Sequence, residues 1–206
     1  MSQSTGNRAV FLDRDGTIME DSNYVGDVER VLVIPGAPTA LKQLQEAGYK
    51  LFIVTNQSGV GRGYFTHEAV EQIHAHLDEY FGKSGVRFDR YYVCPHHPED
   101  NCDCRKPKPK FLHDAAREYG LDLPRCFMIG DRTSDIQAGV NAGVPTILVL
   151  TGVGRETLAK REVNLKYADA TVPLGCRGEV ESVLFAAHIG RNAARSMMRT
   201  ERLFTR

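Results

Sequence analysis

The chain has no excess of charge of either sign: 26 Lys and Arg residues balance 26 Asp and Glu. No global field therefore favours nucleic acid or an anionic membrane surface. It has no apolar run near the length of a membrane span. Its start, MSQSTGNRAV, lacks the apolar core and small-residue cleavage pattern of a secretory leader. There is no internal repeat, no low-complexity tract and no C-x-x-C redox pair. These absences predict a cytoplasmic protein with no nucleic-acid and no membrane partner, in a compartment where thiols stay reduced or bind metal. The composition, 42% hydrophobic and 25% charged over 206 residues, is that of one globular α/β domain with appendages.

What is present alternates in type. Short apolar runs at Ala9–Leu12, Lys50–Thr55, Arg90–Val93, Cys126–Ile129 and Thr146–Leu150 read as buried strands. Between them lie helical patterns. One follows Pro35-Gly36, with Ala37, Ala40, Leu41, Leu44 and Ala47 on one face and Gly48 as its stop. Another starts at Thr66, with Val70, Ile73, Leu77 and Phe81 inward. Two shorter ones run over Phe111–Tyr119 and Ser134–Ala142, stopped by Gly120 and Gly143. Continuous apolar strands alternating with amphipathic helices predict an α/β, doubly wound (Rossmann-like) parallel sheet covered on both faces. Residues 8–172 form this unit. Residues 173–206 read as a C-terminal helical extension, with Arg191, Arg195, Arg199 and Arg202 near one solvated face.

In such a sheet, ligands bind beyond the carboxyl ends of the strands. The first strand delivers Asp13 and Asp15 there, the second Thr55-Asn56 and the fourth Asp131. Residues two apart in extended chain point the same way, so Asp13 and Asp15 can serve one centre, with Arg14 turned aside. Clustered carboxylates repel, and a hard cation such as Mg²⁺ relieves that cost. One carboxylate can then attack phosphorus while the other moves the proton. Gln57 to Gly63 is rich in glycine, but G-V-G-R-G is not the G-x-G-x-x-G of a dinucleotide site and does not end the first strand. The 33 residues or so on either side of the second strand hold one loop and one helix each, so the site is expected to have no large cap domain and to be lined by loops (order-of-magnitude lengths of a βα unit,).

The stretch YYVCPHHPEDNCDCRKPKPK, Tyr91 to Lys110, holds three of the five cysteines. A disulfide would leave one of the three unpaired and suits the compartment poorly. Cys94 and His96, then Cys102 and Cys104, are two short ligand pairs on one loop, suited to a closed tetrahedral Zn²⁺ site. His97 is the alternative imidazole. A zinc clip over residues 94–104 would order a polar loop and fix the direction of Arg105 and Lys106. Cys126 and Cys176 read as inert thiols.

Val10 to Thr17, VFLDRDGT, resembles the first signature of the haloacid-dehalogenase-type phosphatases. Val54-Thr55-Asn56 resembles the second, and Ile129-Gly130-Asp131-Arg132-Thr133-Ser134-Asp135 the fourth. Lys106 matches the third, a lysine. The resemblance implies Asp13 as nucleophile, Asp15 as acid and base, Thr55 and Lys106 stabilising the phosphoryl group, and Mg²⁺ held by Asp13, Asp15 and Asp131. The zinc loop is similar to that of the subgroup acting on heptose bisphosphates and histidinol phosphate. The match implies zinc ligands Cys94, His96, Cys102 and Cys104, substrate recognition by Arg105, and a substrate loop at Asp21-Ser22-Asn23-Tyr24. Asn56, Gln57 and Ser58 fall in the segment expected to meet substrate. Arg105 and Arg132 are guanidinium forks suited to a second phosphate. Lys110 departs from the subgroup, which has glycine there, and the segment between the ligand pairs is short. The implied activity is Mg²⁺-dependent hydrolysis of the C7 phosphate of a heptose 1,7-bisphosphate by a monomer, in nucleotide-activated heptose synthesis for cell-surface polysaccharide. Histidinol phosphate is the alternative substrate. A non-catalytic zinc module conflicts with an intact set of Asp13, Asp15, Thr55, Lys106 and Asp131.

Overall fold

The computed structural model describes residues 7–160 and 170–172. In chain order the elements are β1 (Arg8–Leu12), α1 (Ala37–Glu46), β2 (Tyr49–Asn56), α2 (Ser58–Gly61), α3 (His67–Gly82), β3 (Arg90–Cys94), α4 (Lys110–Tyr119), β4 (Phe127–Gly130), α5 (Thr133–Ala142), β5 (Thr146–Val149), α6 (Gly154–Ala159) and β6 (Ala170–Val172). The strands form one sheet in the order β3-β2-β1-β4-β5-β6, and every pairing is parallel. The order reverses direction at β1, which lies between β2 and β4. That switch point opens a crevice beyond the carboxyl ends of these strands.

The two faces follow from the period-2 alternation of strand side chains. Val10 and Leu12 of β1, with Leu51 and Ile53 of β2, pack under Leu41 and Leu44 of α1 and Ile73, Leu77 and Phe81 of α3. Ala9 and Phe11, with Phe52 and Val54, face Leu112 and Ala115 of α4 on the other side. Phe11 and Phe52 stack with centroids 5.5 Å apart. Truncating either fully buried ring to alanine costs about 3–5 kcal/mol, which makes this pair a main anchor of the sheet.

Helix ends carry the chemistry read from the sequence. The Thr66 hydroxyl accepts from the Ala69 N–H at 3.3 Å to start α3. Gly120 and Gly143 adopt φ of 61° and 69° to end α4 and α5. Between β1 and β2 lie a single 3₁₀ turn and α1, and between β2 and β3 only α2 and α3. The described residues therefore contain no cap domain, and loops alone border the crevice. Cys126 lies one residue before β4, fully buried, with its thiol donating to the Asp122 carbonyl at 3.3 Å. The C-terminal helical extension and Cys176 lie outside the described residues.

Candidate active site

β1 ends at Leu12, and the Asp13 N–H still donates to the Ile129 carbonyl of β4 at 2.9 Å. The sheet itself thus fixes where the Asp13 side chain begins. The chain then turns. The N–H groups of Thr17, Ile18 and Met19 all point at the Arg14 carbonyl, and Gly16 takes φ of 80°. A side chain at Gly16 would be impossible on a second count: its Cβ would lie 2.2 Å from Asp131 Oδ2. Gly152 closes on the same carboxylate, where a Cβ would lie 2.3 Å from Oδ2. Two glycines therefore make the slot that admits Asp131.

Lys106 is the centre of the cluster. Its ammonium is buried and lies 2.6 Å from Asp13 Oδ1, 2.8 Å from Asp135 Oδ1 and 2.6 Å from the Val54 carbonyl. The contacts to Asp13 and the Val54 carbonyl are hydrogen bonds, and the one to Asp135 is an ion pair, whose Oδ1 has no hydrogen-bond partner. Asn56 fixes the lysine from behind. Its side-chain carbonyl accepts the Lys106 N–H at 3.1 Å and its amide donates to the Lys106 carbonyl at 3.2 Å. The end of β2 is thereby clamped to the second residue after the Cys/His loop.

Asp13, Asp131 and Asp135 are all buried, and one oxygen of each lies within 4.8 Å of the others. Burial pushes the Asp13 carboxyl up to about 8, with Asp135, Asp131 and Asp15 adding to the rise and Lys106 opposing it. Burial, then the Asp135 charge, raises Asp131 to about 7. For Lys106 burial acts downward, but Asp13 and Asp135 outweigh it and raise its pKa. Asp131 Oδ2 accepts from the Val153 N–H at 2.9 Å, while Oδ1 is buried with no hydrogen-bond partner. A buried, unpartnered carboxylate oxygen among two other carboxylates is the donor set a hard cation requires.

Asp15 stands beside this cluster. Arg14, predicted to turn aside, is fully buried and lays its fork on Asp15, Nε to Oδ2 at 3.0 Å and Nη2 to Oδ1 at 2.9 Å. Gln57 Nε2 donates to Asp15 Oδ2 and to the Thr55 hydroxyl, both at 2.8 Å. One amide thus ties the acid after β1 to the hydroxyl at the end of β2.

These groups open on a pocket of about 300 Å³. Of the predicted site residues, Asp13, Asp15, Asp21, Asn23, Tyr24, Thr55, Asn56, Gln57, Ser58, Arg105, Lys106 and Arg132 line it. Ser22 and Asp131 do not; Asp131 is fully buried behind it. Arg132 is paired with Asp21 across the pocket. Arg105 Nη1 is buried without a partner. Val25, Gly59, Ser134 and Asp135 also line the pocket and had been given no role. Asp135 lies in the first turn of α5 against Gly130, where a Cβ would lie 2.3 Å from its Oδ2.

The four Cys/His ligand atoms converge as well. Cys94 Sγ lies 3.6 Å from Cys102 Sγ, which lies 3.6 Å from Cys104 Sγ; His96 Nδ1 is 3.7 Å from Cys94 Sγ and 3.3 Å from Cys104 Sγ. The edge of a tetrahedron with metal–sulfur bonds of about 2.3 Å is roughly 3.8 Å. His97 is turned to other work, its Nδ1 accepting from the Glu99 N–H at 3.3 Å. Lys108 folds back on this loop, donating to the carbonyls of Asn101 and Cys102 at 3.1 and 2.7 Å. Lys110 pairs with Asp114.

A family model described as HAD-hydrolase-like matches residues 103–172. The D-glycero-beta-D-manno-heptose-1,7-bisphosphate 7-phosphatase of Helicobacter pylori (strain J99) is 47% identical over 148 residues, 71% of this chain and 85% of that protein. The protein of the same name from Photorhabdus laumondii is 44% identical over 165 residues, 76% of this chain and 88% of that one. Among solved structures, the D,D-heptose 1,7-bisphosphate phosphatase of B. bronchiseptica, complexed with magnesium and phosphate, has a TM-score of 0.77 and 34% identity, covering 87% of this chain and 98% of its own. Fold and site define a phosphatase of the haloacid-dehalogenase-like class. Within that class the chain belongs to the D-glycero-D-manno-heptose-1,7-bisphosphate 7-phosphatase family.

Proposed function

We propose that the protein hydrolyses the C7 phosphate of D-glycero-D-manno-heptose 1,7-bisphosphate through a phosphoryl group carried on Asp13. The observation that carries this reading is the Asp13–Lys106–Asp135 cluster, buried at the base of a 300 Å³ loop-lined pocket in a chain of this family. The relatives with which the chain shares most of its length are named for this substrate. Histidinol phosphate, the other substrate the motifs allow, has no such support.

Asp13 attacks phosphorus, and the bond from phosphorus to the C7 oxygen breaks. Asp15 gives that oxygen its proton. Asp15 then takes a proton from water as the water attacks the same phosphorus, releasing phosphate and restoring Asp13. Lys106 neutralises Asp13 before attack and the phosphoryl oxygens after it, and Thr55 donates its hydroxyl to them. Arg105, whose guanidinium has a free buried donor, and Arg132 grip the phosphate that is not cleaved. That second phosphate has to compete with Asp21 for Arg132. Asp21, Ser22, Asn23 and Tyr24, with Asn56, Gln57 and Ser58, surround the sugar.

Asp13 and Asp131 would hold Mg²⁺, with Asp135 beside them; Asp15, the third ligand implied by the motif, has its carboxylate on Arg14 and Gln57. When bound, that ion offsets the charge of the carboxylates and of the phosphate. Cys94, His96, Cys102 and Cys104 would hold a structural Zn²⁺ that aims Arg105 and Lys106. Residues 8–172 act as one phosphatase unit, a monomer in the cytoplasm. A phosphate-release comparison of heptose 1,7-bisphosphate, histidinol phosphate and hexose bisphosphates tests the reading. It predicts the highest kcat/KM on the heptose, with heptose 1-phosphate as product; preference for histidinol phosphate would overturn it.

A further inference from the structure

The segment Arg62-Gly63-Tyr64-Phe65 has no part in the chemistry above, yet it is built against the pocket. Tyr64 is 61% exposed and meets Tyr24, 46% exposed, edge-on with centroids 4.9 Å apart and planes at 86°. The Arg62 guanidinium lies 6.0 Å from the centre of the Tyr24 ring. Tyr24 itself lines the pocket. It sits with Asn23 in the left-handed region, at φ of 53° and 49°. Two successive non-glycine residues in that region persist only where their surroundings hold them.

Phe65 packs beside Gly26, two residues after Tyr24. A Cβ at Gly26 would fall 2.6 Å from its side chain, and one at Gly59 would fall 2.3 Å from its ring. Phe65 is thus wedged between the end of the substrate loop and the floor of the pocket. The Tyr64 N–H donates to the Gly59 carbonyl at 2.8 Å. Gly61 rests directly on the Cys/His loop, where a Cβ would lie 2.5 Å from the His97 nitrogen, and its N–H donates to the Pro95 carbonyl at 2.8 Å. The backbone of the segment is fixed at Gly61 and Tyr64, and the two exposed rings meet each other edge-on.

The geometry points to Tyr64 and Tyr24 as an aromatic ledge at the pocket mouth that takes the sugar portion of the substrate, with Arg62 and Phe65 as positioning residues for it. A tyrosine ring offers an apolar face for sugar C–H groups and a hydroxyl that stays in water. Large exposed rings beside a polar pocket are a recognition surface. The inference rests on the phosphosugar reading above. It adds that recognition of the leaving group extends to residues 62–65, beyond the catalytic residues themselves.

The test compares Tyr64→Ala and Tyr64→Phe with wild type on heptose 1,7-bisphosphate and on acetyl phosphate, whose leaving group has no ring. For Tyr64→Ala, the ratio of kcat/KM on the heptose to that on acetyl phosphate should fall about tenfold, or about 1.4 kcal/mol, with the change in KM. Tyr64→Phe should keep at least half of the wild-type ratio, because the ring face remains. An unchanged ratio in Tyr64→Ala, with wild type active on the heptose, overturns the ledge alone. Wild type that turns over acetyl phosphate and not the heptose overturns the substrate reading and the ledge with it.

Discussion

Asn56 sits 50 residues from Lys106 in sequence and makes both hydrogen bonds to its backbone. Asn56→Ala removes the two together. Each is worth about 1 kcal/mol net, so the variant should lose about 1–3 kcal/mol, including the cost of a half-buried N–H and carbonyl left unpaired. For a domain of this size that is a fall in Tm of about 2–10 °C. The effect on turnover is larger. The Lys106 ammonium has contacts of 2.6–2.8 Å to Asp13, Asp135 and Val54, and a displacement of about 1 Å would break one or more of them. Such a misplacement costs on the order of 100-fold in rate. Asn56→Asp keeps the acceptor for the Lys106 N–H and loses the donor, so it should fall between wild type and alanine. The assay is steady-state phosphate release from heptose 1,7-bisphosphate with Tm measured on the same preparations. If Asn56→Ala keeps kcat within about threefold of wild type, Asn56 does not position the lysine.

Asp13→Asn should reduce kcat by far more than the tenfold that corresponds to about 1.4 kcal/mol, with the fold intact by circular dichroism; a variant above a tenth of wild-type kcat would remove Asp13 as nucleophile. Asp15→Asn should be severe on sugar phosphates and mild on aryl phosphates with good leaving groups, and equal losses on both would take Asp15 out of the acid role. Cys102→Ser should lose its zinc by elemental analysis and lose activity that added Mg²⁺ does not restore, while the sheet stays folded; a metal-free variant of full activity would reduce the cysteines to packing. The raised carboxyls give a pH dependence with a definite sign. In the metal-free protein Asp13 and Asp131 hold protons up to about 8 and 7, which the unfolded chain releases near 3.8. Stability without metal should therefore fall as pH rises from about 4 to 8. Mg²⁺ has to displace those protons, so its stabilising effect should be larger at pH 8 than at pH 6 in thermal melts; the reverse order would contradict the buried cluster as the binding site.

Five of the six strands were readable because they are continuous apolar runs, as strands of a doubly covered parallel sheet are; the three residues of β6 are too few for such a run. The site was readable where chemistry sits at strand ends, as with Asp13, Thr55 and Asp131. The role of Asp135, at the end of the fourth motif, is not legible in the sequence, because its partner Lys106 approaches through a loop that local pattern does not place. Arg14 was expected to point away. Instead it is fully buried, and its length lets the fork reach the neighbouring Asp15. The four residues of α2 are too few for helical periodicity to register. The contact of Gly61 with the Cys/His loop is a packing fact between segments more than 30 residues apart, visible only once both are folded.

The most direct test of the account is to trap the phosphoryl group. The enzyme with Mg²⁺ and heptose 1,7-bisphosphate is acid-quenched during turnover and reduced with borohydride, which converts an aspartyl phosphate to homoserine, and the peptides are read by mass spectrometry. Homoserine is expected at position 13 and not in controls without substrate. Homoserine at another carboxylate, or turnover with no trapped residue under conditions that capture a known aspartyl phosphate, would contradict it.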